Sequence, residues 1–242
     1  MDKGVKVFVA VYDDVSLLRH FLRHYRAQGA GRFFVAVSRA AAKEARRRAR
    51  GFPVVFVDSL NVAESFVGGA AAVTAMRLRY SDPGEWVAIA DLYEFQVHPR
   101  GMAASIRLAE REGANVVRGT MIDRVAADGG FPAIHPRSDL SKLFPVRCRL
   151  TKRLQRGIDH KCVLVRGLLL PAMAHHRMAG EKVGSRAIEI HHFKWSASAV
   201  PRMRKAIKRI KASGLRPYHV EYERVLGHLR EHGRIRWEEF VA

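Results

Sequence analysis

The chain has 242 residues, 48% of them hydrophobic, and its 43 Lys and Arg against 23 Asp and Glu give a net charge of +20. This composition excludes a mostly disordered protein, and the length fits one large α/β domain or one domain with a short appendage. No apolar run reaches the roughly 18 to 20 residues that span a bilayer, and the N-terminus lacks a signal-peptide pattern. We therefore predict a cytoplasmic protein.

The positive charge is concentrated in two segments, residues 39–50 and 201–217. The second segment lies in a span from Ile190 to Val220 that contains no acidic residue. Such surfaces attract polyanions, which include nucleotide phosphates, anionic lipid headgroups, acidic glycans and nucleic acids. A solvated basic face without a specific partner is an equally good interpretation of the first segment.

The first hundred residues alternate strand and helix patterns. Nearly continuous apolar runs predict buried strands at 5–11, 32–38, 52–58 and 85–95. Helices are predicted between them, and the third, at 61–80, begins with Asn61 and Glu64 in capping-box spacing and contains a Gly68-Gly69 pair. The alternation predicts an α/β fold with a mostly parallel, doubly wound sheet that binds ligands beyond the carboxyl ends of its strands.

After Pro99 the pattern changes. A helix at 102–114 and a strand at 115–125 lead into a Gly/Pro-rich loop, and two short basic strands follow at 145–151 and 161–167. From Val200 onward the chain is helical and highly basic. We therefore divide it into an α/β domain, residues 1–199, and a basic helical C-terminal extension, residues 200–242. Cys148 and Cys162 belong to no Cys/His ligand pattern and are predicted to be free thiols.

Acidic residues follow three of the predicted strands, at Asp13, Asp58 and Asp91. Asp91 is followed by Glu94, and a pair of carboxylates at a strand end can hold Mg²⁺ or Mn²⁺ against a diphosphate. Side chains at i and i+3 of a straight strand point to opposite faces. Asp91 and Glu94 therefore converge only if the strand has ended at Asp91, and Phe95 would then anchor the turn in the core.

Five segments taken in order resemble the family-2-like glycosyltransferases of the GT-A fold, of the bacterial surface-polysaccharide type. They are "VFVAVYDDVSLLRHFLRHYRAQGAGRFFVAV", "EWVAIADLYEFQVHP", "TMIDRVAADGGFP", "KCVLVRG" and "IHHFKW". The resemblance runs from about Val5 to Trp195. It implies a Rossmann-like GT-A fold and transfer of a sugar from a nucleotide-sugar donor to a cell-surface glycan, lipid-linked or related acceptor.

The resemblance also implies roles for acidic residues. Asp13 and Asp14 stand where the family's first loop reads Asn-Glu, so an acidic contact to the nucleotide is expected there, and Asp58 and Asp91 are expected at the same nucleotide site. Asp91 and Glu94 match the first and fourth positions of the family's D-x-D-E-F pattern, in which a divalent cation is bound. The metal-ligating Asp of that pattern is Tyr93 here.

Tyr93 leaves three interpretations open, because a phenol is a poor ligand for Mg²⁺ or Mn²⁺. Glu94 could replace the missing ligand, lysines and arginines could neutralise the diphosphate instead, or the protein could bind a nucleotide or a partner without turnover. His192, in "IHHFKW", is the expected late histidine of the metal site. One of His191 and His192 is expected to pack against Phe193 instead.

An inverting transfer needs a base near the acceptor hydroxyl. Asp123 matches a family position and is the first candidate, with Asp128 second, and a salt bridge with a basic neighbour is the alternative role for Asp123. Lys194 is a candidate phosphate contact. His175 and His176 are expected to border the acceptor site or to lie in a mobile loop.

The basic C-terminal helix, with Met203, Ile207 and Ile210 on one stripe, is expected to lie on an anionic membrane surface, peripherally on its inner face. A nucleic-acid-binding protein is the alternative that the charge suggests. The chain contains no recognised nucleic-acid-binding motif, so a nucleotide-sugar transferase is the preferred hypothesis.

Overall fold

The computed structural model describes residues 4–58, 66–173, 175–212 and 218–241, and the side chains of residues 58, 66–68, 212 and 218 are not described. The chain forms two compact units. Unit 1 is Met1–Thr120 with His160–Ile190, and unit 2 is Met121–Asp159 with His191–Ala242.

Unit 1 follows the predicted alternation of strands and helices. Its elements are β1 (Val5–Val11), α1 (Leu18–Ala27), β2 (Ala30–Val37), α2 (Ala42–Arg48), β3 (Val54–Asp58), α3 (Phe66–Tyr80), β4 (Trp86–Ile89), β5 (Glu94–Val97), α4 (Gly101–Arg111), β8 (His160–Arg166), β9 (Pro171–Met173) and β10 (Arg177–Met178). The strands β6 (Val116–Val125) and β11 (Ile188–His192) begin in unit 1 and continue into unit 2.

The central sheet has the order β3-β2-β1-β4-β8-β6-β11-β5, and β7 (Val146–Cys148) pairs with β6. The pairs β3·β2, β2·β1 and β1·β4 are parallel, whereas β4·β8, β8·β6 and β6·β7 are antiparallel. The α/β class with a Rossmann-like sheet flanked by helices is confirmed. Its parallel part is the first four strands of the chain.

The nearly continuous apolar character of β1 and β2 follows from burial on both faces of the sheet. Phe8 and Phe34 stack with ring centroids 4.9 Å apart and pack against Val73 and Met76 of α3. On α1, Phe21 and Leu22 are also fully buried. Gly29, with a φ of 100°, ends that helix as predicted.

Gly69 explains part of the Gly68-Gly69 pair in α3. A Cβ built on Gly69 would lie 1.7 Å from the hydroxyl of Tyr12, which directly follows β1. Glycine therefore allows the close approach of α3 to the carboxyl end of β1. Helix α3 is confirmed over Phe66–Tyr80, while the predicted capping box at Asn61 and Glu64 lies outside the described residues.

The predicted fourth strand is divided in two by a turn. Strand β4 ends at Ile89, and β5 begins at Glu94 and lies at the far end of the sheet beside β11. Phe95 is 4% exposed and packs against Phe21 and His24 of α1, with ring centroids 6.2 and 5.1 Å away. The prediction of one strand over 85–95 is therefore wrong, while the condition for Asp91 and Glu94 to converge, a strand that has ended by Asp91, is met and Phe95 anchors the turn.

Unit 2 contains the ends of β6 and β11 and the C-terminal helices. Its other elements are α5 (Leu140–Leu143), β7, α6 (Leu150–Arg153), α7 (Ala199–Ala212), α8 (Tyr218–His232) and a 3₁₀ helix (Trp237–Phe240). Its core brings Trp195, Met203 of α7 and Val225 of α8 against Val125 and Leu150. The C-terminal helices therefore share a core with residues 121–159, and this division does not coincide with the boundary predicted at residue 199.

Met203, on the stripe predicted to face a membrane, is 3% exposed in this core, and Ile207 and Ile210 are half-buried. Protein therefore covers the apolar face of α7 at Met203. Within the described ranges, the helices are too short or too polar to cross a bilayer. Cys148 and Cys162 are free, as predicted, and both are buried.

Candidate functional site

The first cluster lies in unit 1, at the turn between β4 and β5. The Glu94 amide donates to the Asp91 carbonyl over 2.9 Å, and Glu94 Oε2 accepts the Asp91 amide over 2.9 Å. This reciprocal pair closes the turn and brings both carboxylates to one side. The Glu94 side chain is 2% exposed and that of Asp91 is 35% exposed.

Lys161, at the start of β8, supplies the positive charge of this cluster. Its Nζ donates to Asp91 Oδ2 over 2.7 Å and to Glu94 Oε1 and Oε2 over 2.9 and 3.0 Å. The Lys161 side chain is 4% exposed. Antiparallel pairing of β8 with β4 places the beginning of β8 beside the end of β4, which explains why Lys161 meets the turn.

The ionisation of the cluster is dominated by burial. Burial raises the pKa of Glu94 to about 7, and the charge of Asp91 acts in the same direction, against the opposing effect of Lys161. Burial would lower the pKa of Lys161, but the charges of Asp91 and Glu94 outweigh it and raise the pKa. Lys161 therefore stays charged, and Glu94 takes up a proton most readily.

Glu94→Gln should remove a pH dependence of stability. Because the pKa of Glu94 in the fold lies above its ordinary 4.5, its contribution to stability is fully present below pH 4.5 and is lost as the pH rises through about 7. We expect the free energy of unfolding of the variant to vary less between pH 5 and pH 8 than that of the wild type. Urea titrations at several pH values measure this, with the exposed Glu238→Gln as control. If the free energy of unfolding changed equally with pH in Glu94→Gln and in the wild type, this prediction would be contradicted.

The arrangement fits an ammonium group better than a divalent cation. Lys161 Nζ already contacts three of the four carboxylate oxygens. A cation bound between Asp91 and Glu94 would have to displace a buried Lys161, and two positive charges would otherwise share one site. The ligand role of Asp91 and Glu94 stays a prediction, and Lys161 supplies a positive charge between these two carboxylates.

Two further polar residues of unit 1 are buried beside this cluster. His175 has a φ of 66°, is 3% exposed, and lies with Nε2 3.5 Å from the Thr74 hydroxyl. Burial and the charge of Lys161 lower its pKa to about 3, so it is neutral. Arg77 is fully buried; its Nη2 donates to the Leu169 carbonyl, while Nε and Nη1 have no partner in the described part of the chain.

The other predicted nucleotide contacts of unit 1 lie at the carboxyl ends of parallel strands. Asp13 is exposed after β1, and Asp14 Oδ1 accepts the Ser16 amide over 2.8 Å ahead of α1. Asp58 ends β3, and its side chain is not among those described. Since β1, β3 and β4 run in the same direction, Asp13, Asp58 and Asp91 follow the same edge of the sheet, as predicted.

The second cluster lies in unit 2 and is centred on Asp123 of β6, which is fully buried. Asp123 Oδ2 accepts the Thr151 amide over 2.6 Å. Its Oδ1 accepts the Thr151 hydroxyl over 2.9 Å and the Trp195 indole N–H over 2.9 Å. Nδ1 of His192 lies 3.1 Å from the same oxygen. Both carboxylate oxygens are therefore occupied.

Burial alone would raise the pKa of Asp123. The hydrogen bond from His192 and the charges of His192 and Lys194 outweigh that effect and lower the pKa to about 2. Asp123 is thus an ionised acceptor that holds its neighbours in place. Nδ1 of His192 faces Asp123 as a donor, so in the neutral form of that ring Nε2 is the basic nitrogen.

The remaining candidates lie at different positions in unit 2. Nδ1 of His192, which is predicted as a metal ligand, pairs with Asp123, and the ligand role of His192 stays a prediction. His191 packs against Phe193 with ring centroids 6.4 Å apart. Lys194 donates to Gln155 and, over 3.3 Å, to the Thr151 hydroxyl. Asp128 is exposed and accepts the Gly130 amide over 2.8 Å, which stabilises a turn.

Sequence reasoning did not single out Lys161, Thr151 or Trp195. A signal for Lys161 was present, since two acidic residues at a buried strand end need a cation, and Lys161 opens the apolar run "CVLV". No pattern pointed to Thr151, which lies 28 residues from Asp123 in the chain.

No protein-family model and no curated protein matches the sequence. Among solved structures, 4-diphosphocytidyl-2C-methyl-D-erythritol synthase shares 13% identity over 70% of this chain and 78% of its own, with a TM-score of 0.40. HddC from Yersinia pseudotuberculosis shares 8% identity over 82% of this chain and 97% of its own, with a TM-score of 0.42. Rv0371c from Mycobacterium tuberculosis H37Rv, in complex with manganese, shares 16% identity over 77% of this chain and 89% of its own, with a TM-score of 0.33. Since all three TM-scores are below 0.5, we interpret the site from its own geometry.

Proposed function

We propose that the protein is a glycosyltransferase that moves a sugar from a nucleotide-sugar donor to a glycan, lipid-linked or related acceptor. The observation that carries this proposal is the Asp91–Lys161 pair at the carboxyl end of β4, over 2.7 Å. Open α/β sheets bind nucleotides beyond the carboxyl ends of their parallel strands. The ordered motif resemblance from Val5 to Trp195 supports the same class of enzyme.

In this proposal Asp91 contacts the donor and Lys161 positions Asp91. Asp91 is partly exposed, so its carboxylate can accept a hydroxyl of the ribose or of the sugar, while Lys161 and Glu94 hold it from the buried side. Lys161 replaces the metal that would otherwise balance the carboxylates. Basic residues at the same edge, such as the exposed Arg39 after β2, would balance the departing diphosphate.

For proton transfer we propose His192 as the base, with Asp123 as its positioning residue. The low pKa of Asp123 and its occupied oxygens make it a weak base, whereas its contact with Nδ1 fixes the tautomer in which Nε2 of His192 accepts a proton. Asp128, which closes an exposed turn, remains a second candidate for contact with the acceptor hydroxyl.

Thermal-shift measurements test the donor proposal. UDP, GDP, CMP and their sugar conjugates are added with Mn²⁺, with Mg²⁺ or with chelator. A ligand at about 100 times its Kd should stabilise the protein by roughly 2.7 kcal/mol. We expect one nucleotide family to stabilise it, and expect the shift to persist in chelator because Lys161 occupies the carboxylate pair. Loss of the shift in chelator would show that Asp91 and Glu94 bind a metal.

A matched pair of variants assigns that shift to the site. Asp91→Asn should abolish the nucleotide-dependent thermal shift. The neutral amide forms no ion pair with Lys161, and it accepts a hydrogen bond from a hydroxyl less strongly than the carboxylate does. Asp82→Asn, at an exposed position ahead of β4, should retain it. Sugar transfer or donor hydrolysis then separates an enzyme from a binding protein without turnover. No shift with any nucleotide would overturn the proposed function.

Nucleic-acid binding is the second candidate, and one observation in unit 1 favours it. A cleft of about 330 Å³ is lined by the exposed Arg100, Arg107, Arg111 and Arg186. Val117, near the start of β6, also lines this cleft. Because β6 runs parallel to β4, the start of β6 lies toward the strand ends opposite to those that carry Asp91. A steep fall of RNA or DNA affinity with salt, together with no response to nucleotides, would favour this candidate.

Attachment to an anionic membrane surface is proposed as a purely electrostatic contact. Exposed basic residues of α7, Arg204, Lys205, Lys208 and Lys211, would face the lipid, because Met203 is buried in unit 2. Retention on anionic liposomes at low salt, and release at high salt, is the expected result. Retention that salt does not weaken would contradict it.

A further inference from the structure

A group of metal-ligand side chains lies near the C-terminal end of unit 2, apart from the residues of the proposed function. His228 and His232 are one turn apart on α8, and Glu239 lies in the 3₁₀ helix that follows. One ligand atom from each residue lies within 4.8 Å of the others. In the part of the chain that the structure describes, this is the one group of three such side chains.

The two imidazoles are held close together. Their ring centroids are 4.5 Å apart, and the His228 ring also contacts Phe240 at 5.5 Å. Both histidines are half-buried, and Glu239 is exposed.

We propose that His228, His232 and Glu239 bind a divalent transition-metal ion, for which Zn²⁺ is the best match. Two imidazoles at i and i+4 with one carboxylate form a mixed nitrogen and oxygen ligand set. Such a set suits Zn²⁺, Co²⁺, Ni²⁺ and Cu²⁺, whereas Mg²⁺ and Mn²⁺ prefer oxygen alone. Water would complete a tetrahedral site on the exposed side.

Binding requires a small local rearrangement. Bond lengths of about 2.0 to 2.2 Å place tetrahedral ligand atoms roughly 3.4 Å apart. The ligand atoms now lie within 4.8 Å of one another, so each separation has to shrink by at most about 1.4 Å. Nε2 of His228 now accepts the Arg236 amide over a long 3.2 Å, and Glu239 pairs with the Arg236 guanidinium over 3.0 Å. Both contacts are exposed, and the metal would replace them.

The other helical histidine pair of the chain shows what distinguishes this group. His20 and His24 of α1 also have i, i+4 spacing, but no third ligand joins them among the described residues. His24 Nε2 lies 2.7 Å from the Gln96 carbonyl, to which it donates. A metal at His228 would in addition tie α8 to the segment that carries Phe240 into the core of unit 2.

The test uses the full chain without a polyhistidine tag. Calorimetry should show one Zn²⁺ per chain, Co²⁺ should give the intense visible absorption of a tetrahedral site, and Zn²⁺ should raise the Tm. Mg²⁺ and Mn²⁺ should do none of these. Since even the loss of an outer-shell partner costs roughly 10-fold in metal affinity, His232→Gln and Glu239→Gln should each weaken Zn²⁺ binding by at least that factor.

His219→Gln is the matched control, since His219 lies on α8 3.8 Å from Glu223 and outside the group. Its Zn²⁺ affinity should equal that of the wild type. Circular dichroism and urea unfolding without metal establish that each variant is folded. Absence of stoichiometric Zn²⁺ binding, or binding that His232→Gln and Glu239→Gln leave unchanged, would overturn the proposal. Neither result bears on the nucleotide shift, which depends on residues of unit 1.

Discussion

Lys161→Met should destabilise the protein by about 3 to 5 kcal/mol at pH 8, which is the cost expected when one partner of a buried ion pair is removed. The variant keeps an unbranched side chain only one heavy atom shorter but removes the ammonium group that pairs with Asp91 and the buried Glu94. The loss should be smaller at pH 5, because Glu94 can then take up a proton. Urea unfolding at both pH values measures the effect.

A second substitution identifies the cause of this loss. In the double variant Lys161→Met/Glu94→Gln one buried charge is gone, so we expect it to be more stable at pH 8 than Lys161→Met alone. Lys142→Met, at an exposed lysine, should change stability by less than about 0.5 kcal/mol. Equal stabilities of the single and double variants would show that Glu94 is not the uncompensated charge.

Asp123→Asn should cost about 3 kcal/mol or more, because the amide presents an N–H₂ group to donors that the carboxylate now accepts. Those donors are the Thr151 amide and hydroxyl, Nδ1 of His192 and the Trp195 indole N–H. Trp195 fluorescence during urea unfolding reports on the same cluster. Asp128→Asn, in an exposed turn, should stay within about 0.5 kcal/mol of the wild type.

Variants of Asp123 and His192 separate the roles that we propose for these two residues in the transfer reaction. If Asp123 positions His192, His192→Gln and Asp123→Asn should both lower kcat, and the pH profile of kcat should lose its basic group in His192→Gln alone. A folded Asp123→Asn variant with unchanged stability would contradict the description of Asp123 as a saturated buried acceptor. Full activity of His192→Gln would exclude His192 as the base.

The strand pattern of the first hundred residues was predictable because burial on both faces leaves a nearly continuous apolar run in β1 and β2. The turn after β4 was predictable from side-chain alternation, which forbids Asp91 and Glu94 from converging in a straight strand. The separation of β4 from β5 in the sheet order was not predictable, since it depends on pairing with β11, a strand about 90 residues away.

The sequence by itself determined the α/β class, the parallel strands and the edge at which Asp13, Asp58 and Asp91 lie, because these depend on local periodicity and on strand direction. Tertiary structure decided what the acidic residues contact. Lys161 reaches Asp91 and Glu94 across about 70 residues, and Thr151 and His192 reach Asp123 across 28 and 69. A buried charge is stabilised by whichever groups the fold brings within hydrogen-bond distance, and one-dimensional spacing does not encode that proximity.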